Sequence, residues 1–205
     1  FRTLRSQAKH YAKVTERVLL TVEYTPGKAE RQLYELLYAY INQPEKRAFP
    51  EMNQYDLALR LLGLLGSSTA AISQTIKGIV KRLHGLENAA EELTQWRDML
   101  AVAERITQDA KAMELLTVLK QGFSLMKKTG AKRKAVIFTE SVETQKMLLN
   151  LLSGQYRTLA YNGSADYSVI RRFKEDGEVL ISTDNGARGF NLEDSAFVIH
   201  YDLPY

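Results

Sequence analysis

From Lys28 onward the apolar positions of this chain change their period once, between Gln121 and Lys134. Ahead of that point they recur at three- and four-residue steps. Beyond it they fall into short continuous runs separated by helical stretches. In KAERQLYELLYAYI, Leu33, Leu36, Leu37, Tyr40 and Ile41 share one helical face. QPEKRAFPEMN is a proline-broken loop. YDLALRLLGLL reads as helix, GSST as a break carrying an N-cap signal, and Ala70–Leu83 resumes the helical period. Leu86–Leu119 holds no proline or glycine and predicts one or two further helices, so Lys28 to about Gln121 reads as all-α. Ahead of it, ERVLLTVEYTP alternates Val18, Leu20, Val22 and Tyr24 with more polar neighbours and closes on Pro26-Gly27. That pattern predicts a strand over Glu16–Pro26.

After MKKTGAKRK, KAVIFT is a continuous apolar run, as a strand buried on both faces requires. SVETQKMLLNLLS predicts a helix with Ser141 as N-cap, Glu143 in its first turn, and Met147, Leu148, Leu151 and Leu152 facing inward. YRTLAYNG is a second strand, ended by Asn162-Gly163, and ADYSVIRRFKEDG a second helix with Gly177 near its C-cap. EVLIST and SAFVIHYDLP are the third and fourth strands. Strands spaced by helices predict βαβ units, a parallel sheet and an α/β fold. Ligands of such sheets sit beyond the carboxyl ends of the strands. Three strand ends carry small polar residues, Thr139-Glu140, Asn162-Gly163-Ser164 and Ser182-Thr183-Asp184, and parallel order places all three on one rim.

The chemistry of that rim suits a phosphate-bearing ligand. Hydroxyls and backbone N–H groups freed by glycines cradle phosphate oxygens. Asp184 accepts from a sugar hydroxyl or a water near a metal, Arg188 offers a fixed cationic fork, and Gly186 and Gly189 permit close backbone approach. No Ser or Cys is paired with a nearby His, which argues against nucleophilic hydrolysis. Plainer roles exist for several of these residues. Gly163 and Gly177 serve as turn and C-cap, Arg188 as a surface residue, His200 as a packed core histidine, Trp96 and the tyrosines as core or groove, and Asp202-Leu203-Pro204 as a strand end.

With 205 residues the chain has room for one or two domains, and without cysteine it builds no disulfide or cysteine metal site. Its apolar runs fall far short of the ~20 residues that span a bilayer. The start at Phe1 and the end on DLPY read as a piece of something longer. The net charge of +4 is unevenly placed. Arg2, Arg5, Lys9, Lys13 and Arg17 face the single acid Glu16, and Lys120–Lys134 holds six bases and no acid. Such clusters neutralise phosphates or form solvated faces.

ISTDNGARGFNL resembles motif V of the superfamily-two helicases and translocases, AVIFTES their motif IV, YNGS the strand end between the two, and VIHYDLPY the strand that follows. RTLRSQAKHY and ERVLLTVEYTPGKAERQLYELLYAYI resemble the end of the first lobe in the Swi/Snf-like branch, which includes the bacterial RapA-type proteins. The resemblance implies that residues 1–27 end a first helicase lobe, 28–130 form a helical insert, and 131–205 form a second RecA-like lobe truncated after motif V. It implies ATP and Mg as cofactors of the full-length parent. Asp184, Gly186, Gly189 and Arg188 would then lie near the nucleotide. Ser182 and Thr183 would lie on a nucleic-acid backbone flanked by Thr139, Glu140, Asn162, Gly163 and Ser164. The implied partner is nucleic acid, DNA ahead of RNA, with a protein partner on the helical insert, no membrane, and a bacterial cytoplasmic or nucleoid location. GxxxxGK(S/T), an Asp-Glu-x-His motif and QRxGRxxR are all absent from the sequence. The chain alone is therefore expected not to hydrolyse ATP. A degenerate lobe serving as a protein-interaction module is the alternative. An unrelated α/β nucleotide-binding domain is a third, weakened because no GxGxxG follows a strand.

Overall fold

The structure is a computed structural model that describes residues 19–163, 168–183 and 197–202. Five helices come first: α1 (Lys28–Ile41), α2 (Gln54–Ser67), α3 (Thr69–Leu83), α4 (Ala90–Glu104) and α5 (Ala110–Thr129). They are followed by β1 (Ala135–Thr139), α6 (Val142–Leu152), β2 (Thr158–Tyr161), α7 (Ser168–Glu175), β3 (Val179–Thr183) and β4 (Phe197–His200).

The local signals act where the sequence places them. Ser68 interrupts α2 and α3 in an extended conformation, and its hydroxyl accepts from the Ala71 N–H. Ser141 caps α6 in the same way, accepting from Thr144. Gly177 closes α7 by donating its N–H to the Arg172 carbonyl at 3.1 Å. A Cβ there would stand 2.8 Å from the Phe173 Cα, so the chain turns under α7 only with glycine.

The sheet runs β2-β3-β1-β4, and every neighbouring pair is parallel. The two inner strands are the two continuous apolar runs; β3 is buried at every position and β1 at all but Phe138. One face of the sheet, with Ala135, Ile137, Val179 and Ile181, packs against Leu119, Leu148 and Leu152 of α5 and α6. The other, with Val136 and Leu180, packs against Phe173 of α7. The result is a three-layer α/β unit, as expected of a RecA-like lobe.

A separate core holds α1 to α4 together. Trp96 is fully buried at its centre, 4.6 Å from the Tyr40 ring in an edge-on contact. The Tyr40 hydroxyl donates to Glu92 at 2.6 Å, while Glu92 also accepts the N–H groups of Arg47 and Ala48. One carboxylate thus ties α4 to α1 and to the loop after it. Burial first, and the bond to Glu92 second, push the Tyr40 hydroxyl well above the usual tyrosine range.

Three expectations meet a different structure. α5 follows the helical period but packs with the sheet: Leu115, Leu119, Phe123 and Met126 belong to the core under β1 and β3. Gly122 lies beneath the Phe197 ring, where a Cβ would come within 2.3 Å. Periodicity says which residues face inward, not which neighbour they face, so the break between the two cores falls ahead of α5 rather than after it. The strand expected over Glu16–Pro26 is not formed across its described part. Residues 19–26 have no regular structure, and Leu19 and Leu20 are 91% and 78% exposed. A strand exists only with a partner edge for its N–H and C=O groups, and this segment meets none among the described residues. His200 is exposed rather than packed in the core. It lies on the edge strand β4 and stacks on the Phe138 ring at 5.5 Å.

Candidate functional site

Parallel order carries the carboxyl ends of β1, β2 and β3 to one edge, so Thr139-Glu140, Asn162-Gly163 and Ser182-Thr183 do share a rim. Within it they differ in access. Glu140, Asn162 and Gly163 are exposed, whereas Thr139, Ser182 and Thr183 are buried. Gly163 has φ of 83°, a left-handed conformation that opens the turn after β2. The Ser182 hydroxyl donates to the Thr183 carbonyl at 3.1 Å. Ser164 and the four residues expected near a nucleotide, Asp184, Gly186, Arg188 and Gly189, lie outside the described residues.

The amino end of α6 backs this rim. Gln145, buried about one turn from the cap, donates its amide to the Tyr161 carbonyl at 2.8 Å and the Ile181 carbonyl at 2.9 Å. It straps the ends of β2 and β3 together. Nothing in the spacing of the helix marks Gln145 for this work, since a polar residue at an inward position reads as an interruption of the apolar face.

Asp202, expected only to end a strand, is the hub of the rim. Its Oδ2 accepts from the Thr139 hydroxyl at 2.6 Å, the Glu140 N–H at 2.9 Å and the Ser67 hydroxyl at 2.9 Å. Its Oδ1 accepts from the Lys111 ammonium at 3.0 Å. Ser67 and Ser68 each lie 2.7 Å from the Thr144 hydroxyl. The proton order follows from these contacts. Ser67 spends its proton on Asp202, so Thr144 must donate to Ser67, and Ser68 must donate to Thr144. The chain Ser68 to Thr144 to Ser67 to Asp202 polarises in one direction and ends on a carboxylate. It joins the α2–α3 break to the ends of β1 and β4. Thr139 is therefore engaged in holding the rim, and Glu140 reaches solvent from a backbone fixed by Asp202.

Beside this hub lies a cavity of about 320 Å³ between residues 24–26, α1, α2 and the start of α5, with Tyr24, Tyr34 and Leu62 in its walls. Its carboxylates are already engaged. Glu30 accepts from the Ala110 N–H at 2.9 Å, and Asp109 from the Thr69 and Ala112 N–H groups at 2.8 and 3.0 Å. Burial first, then the charges of Asp109 and Glu30, raise the Tyr24 hydroxyl above its ordinary range. Tyr201 stands under Lys111, whose ammonium is 4.1 Å from the ring centre. Its buried hydroxyl has no hydrogen-bond partner among the described residues. Burial first, and then Asp109 and Asp202, push that hydroxyl far above the tyrosine range. Tyr201→Phe keeps the ring under the ammonium and removes a desolvated hydroxyl. The variant should melt at the same temperature or higher, with a gain of about 0.5–1 kcal/mol; a clear loss of stability would mean the hydroxyl has a partner after all.

No group of three or more His, Cys, Asp or Glu side chains able to hold a metal occurs among the described residues. No helix among them is long and apolar enough to cross a membrane.

Residues 110–205 match the family of the helicase conserved C-terminal domain. The carboxyl-terminal part of this chain is thus similar to the helicase conserved C-terminal domain over just under half of the chain. Its start coincides with the first residue of α5, the point at which apolar packing passes from the helical core to the sheet. The Hef helicase domain of Pyrococcus furiosus has the same fold, with a TM-score of 0.60 and 16% identity over 86% of this chain and 47% of its own. The likeness extends beyond the helicase C-terminal domain into the helices ahead of it. Two curated relatives, each named DEAD-box ATP-dependent RNA helicase RhpA, come from Helicobacter pylori strains B128 and ATCC 700392 / 26695. Each is 30% identical over 82 residues, 37% of this chain and 17% of the relative. The chain thus spans less than a fifth of these relatives' length.

Proposed function

We propose that this chain is part of an ATP-dependent nucleic-acid motor of the Swi/Snf-like type, working in the cytoplasm on double-stranded DNA. In this reading residues 1–27 end a first lobe, the α1–α4 core is a helical insert, and α5 onward is the second RecA-like lobe. The observation that carries it is the coincidence of the helicase C-terminal domain with a parallel sheet whose three polar strand ends meet on one rim.

The residues divide their work by access. Glu140, Asn162 and Gly163 are the surface a nucleic-acid backbone reaches, joined by Ser164. Thr139, Ser182 and Thr183 stand behind them and hold the strand ends in register. Contacts of this kind reach sugar and phosphate, not base edges, so binding is indifferent to sequence and steeply salt-dependent. Bound ATP with Mg supplies the free energy that alternates two lobe arrangements. Asp184, Gly186, Arg188 and Gly189 are the residues of this chain assigned to it. The hydroxyl chain ending on Asp202 makes the helical insert and the rim move as one body.

Steady-state ATPase of the full-length parent, with and without duplex DNA, single-stranded DNA and RNA, tests the reading. Turnover stimulated most by duplex DNA is expected, and the isolated chain should show none above background. Stimulation by RNA alone would move the motor to an RNA track, the substrate in the names of the curated relatives. A folded parent with no turnover on any polymer would leave a degenerate lobe that binds proteins.

A further inference from the structure

The sheet has a second edge, opposite the rim. At the amino ends of β1, β2 and β3 stand Arg133, Arg157 and Glu178. Glu178 pairs with both arginines, at 3.3 Å and 3.8 Å, and also accepts the Arg157 backbone N–H at 2.9 Å. One carboxylate between two guanidinium groups leaves a net positive charge. The two arginine side chains are 55% and 66% exposed, while Glu178 is 14% exposed. Arg133 also lies over the rings of Phe123 and Tyr156, 4.9 and 5.7 Å from their centres. Stacking fixes the plane of the guanidinium and leaves its outward N–H donors available to an anion.

The charge continues along α5. Lys120 is three residues before Phe123 and Lys127 four after it, so helical spacing sets both exposed lysines along the stripe that Arg133 covers. Lys128 and Lys132, both exposed, carry it to the entry of β1. The last base of the run behaves differently. Lys134 is 7% exposed and points inward, donating to the Phe173 and Gly177 carbonyls at the end of α7. Two of the six exposed bases pair with Glu178, and the six outnumber the two acids at the entry of β3, Glu178 and the exposed Asp176. Phe123 is buried beneath the arginine, so the surface presents charge rather than the apolar centre on which a protein interface is built.

We infer that this amino-edge patch is a second nucleic-acid contact, which holds backbone phosphates on the side of the sheet away from the rim. β1 is five residues long, which separates the two surfaces by about 13 Å. A polymer that touches both must pass around the sheet or be gripped at two points along its length. The inference rests on charge and geometry at this edge and stands apart from the motor reading.

The test is anisotropy of labelled duplex DNA, single-stranded DNA and RNA, titrated with the full chain at several salt concentrations. The comparison is with Lys120→Glu/Lys127→Glu and separately with Arg157→Gln. The double variant should lose tenfold or more in affinity at low salt, and its log–log salt slope should become shallower by about two. Arg157→Gln should lose less, and melting temperatures should not move for the lysine pair. Equal affinity and slope in parent and double variant would overturn the inference. So would a parent chain that binds none of the polymers. A loss confined to a polyglutamate probe would also overturn it, and would give the patch to an acidic protein. A full-length parent without ATPase but with this binding intact would sink the motor reading and leave the patch standing.

Discussion

Replacing Asp202 by Ala should cost about 3–5 kcal/mol of stability, the range for removing one partner of a largely buried charge pair. The Asp202 side chain is 9% exposed and that of Lys111 18%. Without the carboxylate, Lys111 keeps the Gly66 carbonyl, 2.7 Å away, and the face of the Tyr201 ring, neither of which carries a compensating charge. The Thr139 and Ser67 hydroxyls and the Glu140 N–H lose their acceptor at the same time. Loss of the terminal acceptor also frees the direction of the hydroxyl chain through Thr144 and Ser68, and with it the cooperative strengthening along that chain. Asp202→Asn should fall between, because the amide offers one oxygen and turns two hydrogens toward donors. Urea unfolding followed by Trp96 fluorescence for the helical core, and by circular dichroism for the whole, measures both variants. A loss under about 1 kcal/mol in the alanine variant would show that the hub is ornamental, as exposed ion pairs often are.

Lys134→Met should cost about 2–3 kcal/mol, since two carbonyls buried at the end of α7 would lose their donor while the aliphatic stem keeps its packing. The Lys134 ammonium donates to the Gly177 carbonyl at 2.9 Å and also to that of Phe173, and it lies 5.1 Å from the Phe173 ring centre. This separates Lys134 from the five bases that precede it in its run. A solvated, phosphate-binding lysine could be replaced by methionine with almost no effect on folding and a measurable loss of nucleic-acid affinity. The expected result is the reverse: lower stability, and a salt slope of binding no different from the parent's. Unchanged stability with weakened binding would return Lys134 to the exposed patch.

Both effects come from residues whose sequence context suggested something milder. Asp202 follows an apolar strand and precedes a proline, a pattern that says only that the strand ends. Lys134 closes a run of six bases in which every member looks equally solvated. The partner that gives each its role is far away in the chain. Asp202 meets Ser67 across 135 residues and Thr139 across 63, and Lys134 reaches Phe173 across 39. Local spacing contains no signal of that range. Gln145 was hidden for the same reason, because its acceptors are carbonyls of two strands that follow it in the chain.

By itself the sequence determined what depends on neighbours a few residues apart. The helical faces of α1 to α4, the caps at Ser68 and Ser141, and the two fully apolar strands all follow from local period and capping chemistry. So does the convergence of the described strand ends on one rim, because βαβ connections leave parallel strands no other arrangement. Tertiary structure decided the rest. It assigned α5 to the sheet rather than to the helical core, left residues 19–26 without a strand, and brought His200 to the surface. It also made Asp202 the junction of two separately packed cores. A helix face can be read from its own residues, but its partner is chosen by shape and by unsatisfied polar groups elsewhere in the fold. A strand can be read from its alternation, but it forms only where an unpaired edge is present to receive it.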